Sequence, residues 1–203
     1  MLTHVVLESD NSNSVFYYIP NFLDKSDTTE LKQYLDSQQF IPSHGFSKEI
    51  SRTQKWIHFD GKYFCSEWKI KYPQWYSSNP DKTILDITQK IQDFVEKIYD
   101  IPIPRINSCL INKYDCGNNF IALHRDSILS FGESPTIIGL SVGAERKIDF
   151  VHNEDHNKNF SFVLESGSIF IMAESSQKFY KHEIKKESHS DVRYSLTFRE
   201  HIL

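Results

Sequence analysis

The stretch Leu110–Asp126, LINKYDCGNNFIALHRD, decides how the second half of this chain is read. It ends in a His-x-Asp pair, His124 and Asp126. Residues two apart share a face of an extended strand, so this imidazole and this carboxylate can be aimed at one point. One more histidine from a distant strand would complete two imidazoles and a carboxylate, the donor set suited to non-heme Fe(II). Alone, a His-x-Asp carries little weight. The ordered elements around it give it meaning.

Downstream of Arg105 the chain reads as short strands and loops: 106–114, 120–125, 136–142, 146–151, 160–164, 168–172 and 192–199, punctuated by Gly117, Gly132, Gly143 and Gly167. Upstream, Val15–Ile19 is a strand ended by Pro20, after a polar arm of residues 1–14 that holds a short possible strand at Val5–Leu7. A helix is expected from about Ser26 to Gln38, with Asp27 and Glu30 at capping-box spacing and Leu31, Tyr34 and Leu35 as its packing stripe. His44 and Gly45 fall in a loop. Asn79-Pro80 opens a second helix running to about Tyr99, with Ile84, Ile87, Ile91, Phe94, Val95 and Ile98 on one face, and Ile101-Pro-Ile-Pro104 stops it. Two helices followed by an unbroken set of strands predict a mostly β (α+β) fold, the helices buttressing a β-sandwich or double-sheet barrel.

With 203 residues, the chain can bury one sizeable core. A formal net charge of -4 gives no general attraction for nucleic acid or an anionic membrane, so a polyanion partner would need a local basic patch. Three cysteines, Cys65, Cys109 and Cys116, are an odd number without metal-motif spacing, which points to a reducing compartment. No basic start leads into an apolar run, so no secretory peptide is expected, and no stretch reaches bilayer-spanning length.

The third metal ligand has several candidates. His152 and His156 lie in a polar turn that reads as exposed, and His189 and His201 sit in polar surroundings near the last strand. His182 follows an apolar run at the point where a strand gives way to a loop. The last strand, RYSLTFR, places Arg193, Ser195, Thr197 and Arg199 on one face and Tyr194, Leu196 and Phe198 on the other. Two arginines on an inward face are unusual, because an unpaired buried charge is costly. A guanidinium fork suits a carboxylate, so these two can serve a small dicarboxylate or pair with structural acids.

Upstream, Lys48 to Tyr72 mixes basic and aromatic residues against the acidic sign of the whole chain. That mixture suits bases stacked on rings with phosphates beside them. It equally describes a solvated hairpin with aromatic residues packed beneath it.

Taken together, these motifs resemble the AlkB family of Fe(II)- and 2-oxoglutarate-dependent nucleic-acid dealkylases, closest to its DNA-repair members, over nearly all of the chain from about Val15. The ordered elements are Asn112, Tyr114 and Gly117; His124 and Asp126; Ser141, Gly143 and Arg146; His182 in KHEIKKE; and the ending Arg193–Arg199. The resemblance implies a double-stranded β-helix (jelly roll), with residues 15–203 as one domain, 48–75 as a nucleotide-recognition lid and 105–203 as the catalytic core. It further implies iron on His124, Asp126 and His182. Arg193 would hold the far carboxylate of 2-oxoglutarate, and Arg199 would lie near the metal-side carboxylate and Asp126. Leu110, Asn112, Tyr114 and Ser195 would line the co-substrate site, although repair members usually carry asparagine at the position of Ser195. Arg52, Trp56 and Tyr63 match the lid, with Trp56 and Tyr63 stacking on a flipped base and Arg52, Lys55 and Lys62 contacting phosphates.

The chemistry implied is decarboxylation of 2-oxoglutarate by O2 and hydroxylation of an N-alkyl carbon, which then leaves as an aldehyde. The partner would be single-stranded nucleic acid or a duplex with its base flipped out, the setting the nucleus or cytoplasm, and the acting form a monomer. The chain departs most from its relatives at Ile128, where repair members carry an acidic residue near the alkylated base. An isoleucine accepts no hydrogen bond, so either the acidic contact is lost or Glu133 supplies it from the Ser130–Pro135 loop. The rival readings are an oxygenase of the same fold acting on another substrate, such as an RNA base or a protein side chain, and a non-catalytic nucleic-acid-binding sandwich.

Overall fold

The structure is a computed structural model that describes residues 14–44, 49–98 and 105–203. The expected arm and its possible strand at Val5–Leu7 lie outside these residues (Ser14 excepted), as do Gly45, Lys48, Tyr99 and the Ile101–Pro104 stop.

Eleven strands form two antiparallel sheets among the described residues. Along the chain come β1 (Ser14–Ile19), helix α1 (Lys25–Asp36), β2 (Ile41–His44), β3 (Glu49–His58), the one-turn α2 (Trp68–Lys71), the long α3 (Lys82–Ile98), β4 (Ser108–Tyr114) and β5 (Ile121–His124). Then follow the short α4 (Ile128–Phe131), β6 (Ile137–Gly143), β7 (Arg146–His152), β8 (Phe160–Leu164), β9 (Ile169–Glu174), α5 (Ser176–Phe179), β10 (Tyr180–Ile184) and β11 (Arg193–Arg199). The larger sheet runs β1-β9-β6-β11-β4-β3-β2 and the smaller one β5-β10-β7-β8. This is the double-sheet jelly roll.

Alternation along the central strands decides which face each side chain serves. On β11, Tyr194, Leu196 and Phe198 join Ile138, Leu140 and Val142 of β6 and Cys109 and Ile111 of β4 in the outer core. The apolar stripes of both helices pack there, Leu31 and Leu35 from α1 and Ile84, Ile87, Ile91 and Val95 from α3. The inner core between the sheets is built from Phe16, Tyr114, Ile148, Phe150, Phe170 and Tyr180, among others. Strand β6 contributes only small groups to the inner face beyond Ile137, namely Gly139, Ser141 and Gly143. Gly139 pairs with Phe170, and a Cβ there would fall 2.1 Å from the Phe170 ring. The bare backbone at Gly139 thus makes room for the Phe170 ring, which in turn lines the active-site cavity.

Four expectations change. The capping box assigned to Asp27 and Glu30 is not the cap: Asp24 caps α1, its Oδ1 accepting from the Asp27 N–H at 2.8 Å. Asn79-Pro80 likewise stands outside α3, where Asp81 Oδ1 accepts from the Ile84 N–H at 3.2 Å. His182 is not at a strand-to-loop junction but in the middle of β10, a strand the apolar pattern missed because its YKHEI carries three polar residues. The segment 49–58, for which no strand was read and which falls in the expected lid of 48–75, is β3 of the larger sheet, paired with β4 from Thr53↔Lys113 to His58↔Ser108. No helix among the described residues is long and apolar enough to cross a membrane.

Removing the Asp24 side chain should lower stability by about 1 kcal/mol, the usual worth of an N-cap, and the melting temperature by roughly 2–4 °C. Asp27→Ala removes only a half-exposed partner of Lys90 and should cost less. Thermal melts of D24A and D27A check the order, and a larger loss in D27A would return the cap to Asp27.

Candidate active site

The site starts from a register. His124 on β5 and His182 on β10 are directly opposed partners, which brings their rings to 4.3 Å between centroids. Asp126 follows in the turn after β5, its Oδ1 3.7 Å from His124 Nε2. One donor atom from each of the three lies within 4.8 Å of the others, so the set can close on a single ion. The outer contacts favour this use. His124 Nδ1 sits 2.9 Å from the Ala122 carbonyl and 3.0 Å from the His182 carbonyl, which assigns the ring proton to Nδ1 and turns Nε2 towards the ion.

The electrostatics suit a cation ligand set. Burial, reinforced by the neighbouring His124, pulls the His182 pKa down to about 3, and burial also lowers that of His124. Both imidazoles are therefore neutral, the state that binds a metal. Burial raises the Asp126 pKa, but Arg199 and the two histidines outweigh it and hold the carboxyl below its ordinary value. Arg199 Nε stands 2.7 Å from Asp126 Oδ2, and its guanidinium lies 4.6 Å above the Phe131 ring. The arginine on the last strand thus fixes the metal-side carboxylate.

Beside this triad, between the sheets, lies a cavity of about 390 Å³. Arg193 closes its inner end, fully buried. Its Nη2 donates to Ser141 Oγ at 3.0 Å, and its guanidinium lies 5.2 Å from the Tyr114 ring centre. Its Nε and Nη1 have no hydrogen-bond partner among the described residues. Burial pulls its pKa down to about 10, with Tyr114 acting in the opposite sense, so it stays charged near neutrality. A buried cation with free donors facing a cavity calls for an anionic ligand.

Asn112 forms the next rung, paired with Ser195 across the strands. Arg52 Nε and Gln54 Nε2 both donate to Asn112 Oδ1 at 2.7 Å. With its oxygen taken twice, the amide presents its NH2 to the cavity as a donor. Leu110 and Thr197 complete the lining between the two arginines.

Several expected residues are placed differently. Arg52 is not a phosphate contact: it is buried in the cavity wall, bonded to Asn112 and to the Phe120 carbonyl at 3.2 Å. Lys55 turns away to Gln38 at 2.7 Å, whereas Lys62 is exposed. Trp56 is no free stacking platform. It is 3 % exposed, its Nε1 donates to the Lys62 carbonyl, and it packs on Phe64 and His201. Tyr63 sits outside the cavity lining, edge-on to Tyr76.

The aromatic wall the cavity does have is Phe64, Trp68 and Trp75, with ring centres 5.3–5.5 Å apart. The basic-aromatic run signalled an aromatic wall, but only the fold shows which rings face in. Ile128 begins α4 and is 56 % exposed at the rim, and Glu133 is exposed nearby. Both line a smaller hollow beside Asp126 instead of the main cavity. His152, read as exposed, is buried, as is His201, while His156 and His189 are exposed. His152 has a structural task, its Nδ1 accepting from the Glu154 and Asp155 N–H groups at 3.2 and 3.0 Å.

A jelly roll with neutral imidazoles, a carboxylate and a buried anion-seeking arginine around one cavity defines a metal-dependent enzyme with an anionic co-substrate. The chain belongs to the 2OG-Fe(II) oxygenase superfamily, whose family model matches residues 15–199. That membership implies Fe(II), with 2-oxoglutarate and O2 as co-substrates, and the donor set fits the metal.

Among curated proteins, the chain is similar to the uncharacterized protein R406 of Acanthamoeba polyphaga mimivirus, 34 % identical over 115 residues, 56 % of this chain and 59 % of that one. It is similar to the DNA oxidative demethylase ALKBH2 of Arabidopsis thaliana, 26 % identical over 148 residues, 62 % of this chain and 44 % of that one. The human alpha-ketoglutarate-dependent dioxygenase alkB homolog 3 is 32 % identical over 102 residues, 46 % of this chain and 36 % of that one. The chain therefore spans less than two thirds of the length of each of these relatives. Two of the three names are AlkB homologues, in keeping with the motif resemblance. In fold the chain is similar to the solved structure of OsALKBH1, with a TM-score of 0.63 at 15 % identity over 95 % of this chain and 100 % of that one.

Replacing His124, Asp126 or His182 by Ala should abolish Mn(II) binding, Mn(II) standing in for iron in a calorimetric titration. H156A should bind as the parent does, and H152A should lose stability but keep the metal. Parent-like binding by H182A would remove His182 from the ligand set.

Proposed function

We propose that this chain is an AlkB-type dioxygenase that removes N-alkyl groups from DNA or RNA bases. The observation that carries the substrate class is the wall of Phe64, Trp68 and Trp75, which shares one cavity with the His124–Asp126–His182 set. Aromatic rings clustered beside a metal site, tilted and edge-on to one another, suit a planar base turned out of its strand. They suit a protein side chain less well.

In this reading His124, Asp126 and His182 hold the metal. Bound iron, with 2-oxoglutarate and O2, supplies the oxidation that hydroxylates the N-alkyl carbon. Arg193 binds the far carboxylate of 2-oxoglutarate with the donors it has spare, and Tyr114 and Ser141 hold that guanidinium in place. The Asn112 amide donates to the same co-substrate from the neighbouring strand. Leu110 and Thr197 exclude water along its length. Arg199 keeps Asp126 ionised and aimed. Phe64 and Trp68, in contact with each other, line one side of the base, so that its alkyl carbon is presented to the metal side of the cavity. The hydroxylated carbon then departs as an aldehyde, leaving the base unmodified.

Arg52 and Trp56 serve this site indirectly, the first by fixing the Asn112 amide and the second by supporting Phe64. The substrate is single-stranded nucleic acid or a duplex with its base flipped, and the enzyme acts as a monomer, since one chain supplies the whole site. Three free cysteines suit a reducing setting, nucleus or cytoplasm.

The direct test is to load the protein anaerobically with Fe(II) and 2-oxoglutarate, admit O2 and offer oligonucleotides each bearing one methylated base. Loss of one methyl group by mass is the expected result. Succinate formation with no loss from any oligonucleotide would move the enzyme to another substrate.

Arg193→Met should weaken 2-oxoglutarate binding severely, measured by calorimetry with Mn(II), while leaving Mn(II) affinity near the parent's. Arg193→Lys should restore only part of it, because an ammonium does not reproduce the two-pronged guanidinium fork. Without co-substrate the R193M protein should melt no lower than the parent, since it loses a buried cation without a counter-charge. Parent-like 2-oxoglutarate affinity in R193M would overturn the assignment.

A further inference from the structure

Phe64, the wall residue nearest the metal-side turn, stands between β3 and α2, where no sheet ladder claims its carbonyl. That carbonyl accepts two side-chain hydrogen bonds, from Ser130 Oγ at 3.0 Å and from His201 Nε2 at 3.2 Å. Both donors belong to segments that carry the metal end. Ser130 lies on α4, in the stretch of chain that continues directly from Asp126. His201 follows shortly after Arg199, whose Nε stands 2.7 Å from Asp126 Oδ2. The Ile202 N–H donates to the Ser130 carbonyl at 3.0 Å and so ties the two segments to each other. Two short paths therefore run from the carboxylate ligand to one carbonyl, the first along the chain and the second through Arg199. Phe131 fills the space between them, its ring centre 5.7 Å from that of Phe64 and 4.6 Å from the Arg199 guanidinium.

His201 is held firmly enough to act as an anchor. It is 3 % exposed, with its ring edge-on to Trp56 and Phe131. Asn107 clamps its backbone, Nδ2 donating to the His201 carbonyl at 2.9 Å and Oδ1 accepting from the His201 N–H at 2.7 Å. Burial lowers its pKa, so the ring is neutral and carries one proton. A carbonyl only accepts, which assigns that proton to Nε2. Ser130 is fully buried as well.

We propose that Ser130 and His201 are positioning residues that set the depth of the target base relative to the metal, acting through the Phe64 carbonyl. The inference rests on the nucleic-acid reading above and deepens it, from which rings meet the base to what fixes where they stand. The metal ligands His124 and His182 sit on paired strands, whereas Phe64 sits on a connection, and sites on loops are less precise than sites on strands. Apolar packing is non-directional, so it keeps Phe64, Trp68 and Trp75 together without fixing their distance from Asp126. Two directional bonds from the metal-end segments supply that distance. Precision matters here because a displacement of about 1 Å can cost roughly a hundredfold in rate.

The test compares three variants. His201→Phe keeps a buried ring and removes the donor, His201→Gln keeps an N–H donor that can reach the same carbonyl, and Ser130→Ala removes the second donor. All three tryptophans of the chain, Trp56, Trp68 and Trp75, belong to this wall and its support, so intrinsic fluorescence reports on it alone. H201F and S130A should open the tryptophans to acrylamide quenching, and H201Q should quench as the parent does. With Fe(II), 2-oxoglutarate, O2 and an oligonucleotide bearing one methylated base, H201F and S130A should release about tenfold less aldehyde per succinate formed, a loss between that of one hydrogen bond and that of an ångström's displacement. H201Q should recover most of that coupling. Affinities for Mn(II) and for 2-oxoglutarate, measured by calorimetry, should stay close to the parent's in all three, which a general loosening of the site would not allow. Parent-like quenching and coupling in H201F and S130A would overturn the proposal. So would a loss of coupling accompanied by a loss of metal or 2-oxoglutarate affinity, or equal losses in H201Q and H201F. If methyl groups are removed with a coupling that no variant disturbs, only the positioning role fails. If the parent removes none from any oligonucleotide, the substrate reading fails and the positioning role falls with it.

Discussion

The structure depends on two guanidinium groups buried on one strand face. Arg193 and Arg199 stand at opposite ends of β11 with Ser195 and Thr197 between them, all pointing between the sheets. Burying a cation costs several kcal/mol unless something compensates it. Arg199 is compensated within the protein by Asp126 at 2.7 Å. Arg193 has the Ser141 hydroxyl and the Tyr114 side chain beside it and forms no ion pair among the described residues. The strand thus carries one charge that is answered and one that is not. That asymmetry orients the cavity, with a neutralised metal end and an anion-seeking end.

The remaining inner-face residues are consistent with this arrangement. Small groups at Gly139 and Ser141 make room for the Phe170 ring and the Arg193 guanidinium respectively. Arg52 and Gln54 spend their donors on one amide oxygen, so that Asn112 presents its NH2 group inward. Arg146, a fourth buried arginine, lies outside the cavity lining and is tied to the Asn119 carbonyl at 3.1 Å, with Glu187 beside it at 3.3 Å. Each of these side chains sets the direction in which a neighbouring polar group can act.

Much of this was legible in the sequence, because it rests on alternation. The strand RYSLTFR separates polar from apolar residues residue by residue, and the spacing of His124 and Asp126 places both on one side. Strands read from residues 106 to 172 agree with the structure to within about two residues, the usual latitude of an end. What was not legible depends on long-range packing. The polar-looking YKHEI is a strand because β5 and β7 pair with it on both sides, which no local pattern announces. Trp56 and Phe64 are both aromatic residues in a basic run. Only the position of β3 inside the larger sheet makes one a support and the other a wall. The helix caps were misread by two or three residues because Asp24 and Asp27, like Asn79 and Asp81, are both acceptable capping types, and backbone geometry chooses between them.

The pairing of β5 with β10 has a further consequence. Strand β5 is four residues long and lies at the edge of the smaller sheet, with little apolar burial of its own. His124 and His182 are 58 residues apart in the chain. An ion held by both imidazoles is therefore also a cross-link, closing a long loop much as a disulfide would, and the entropy it removes from the unfolded chain adds to stability. The edge of the smaller sheet is then held by the ion as well as by its own hydrogen bonds, so a change at the metal reaches the turn carrying Arg125, Ser127 and Ile128 without any moving domain.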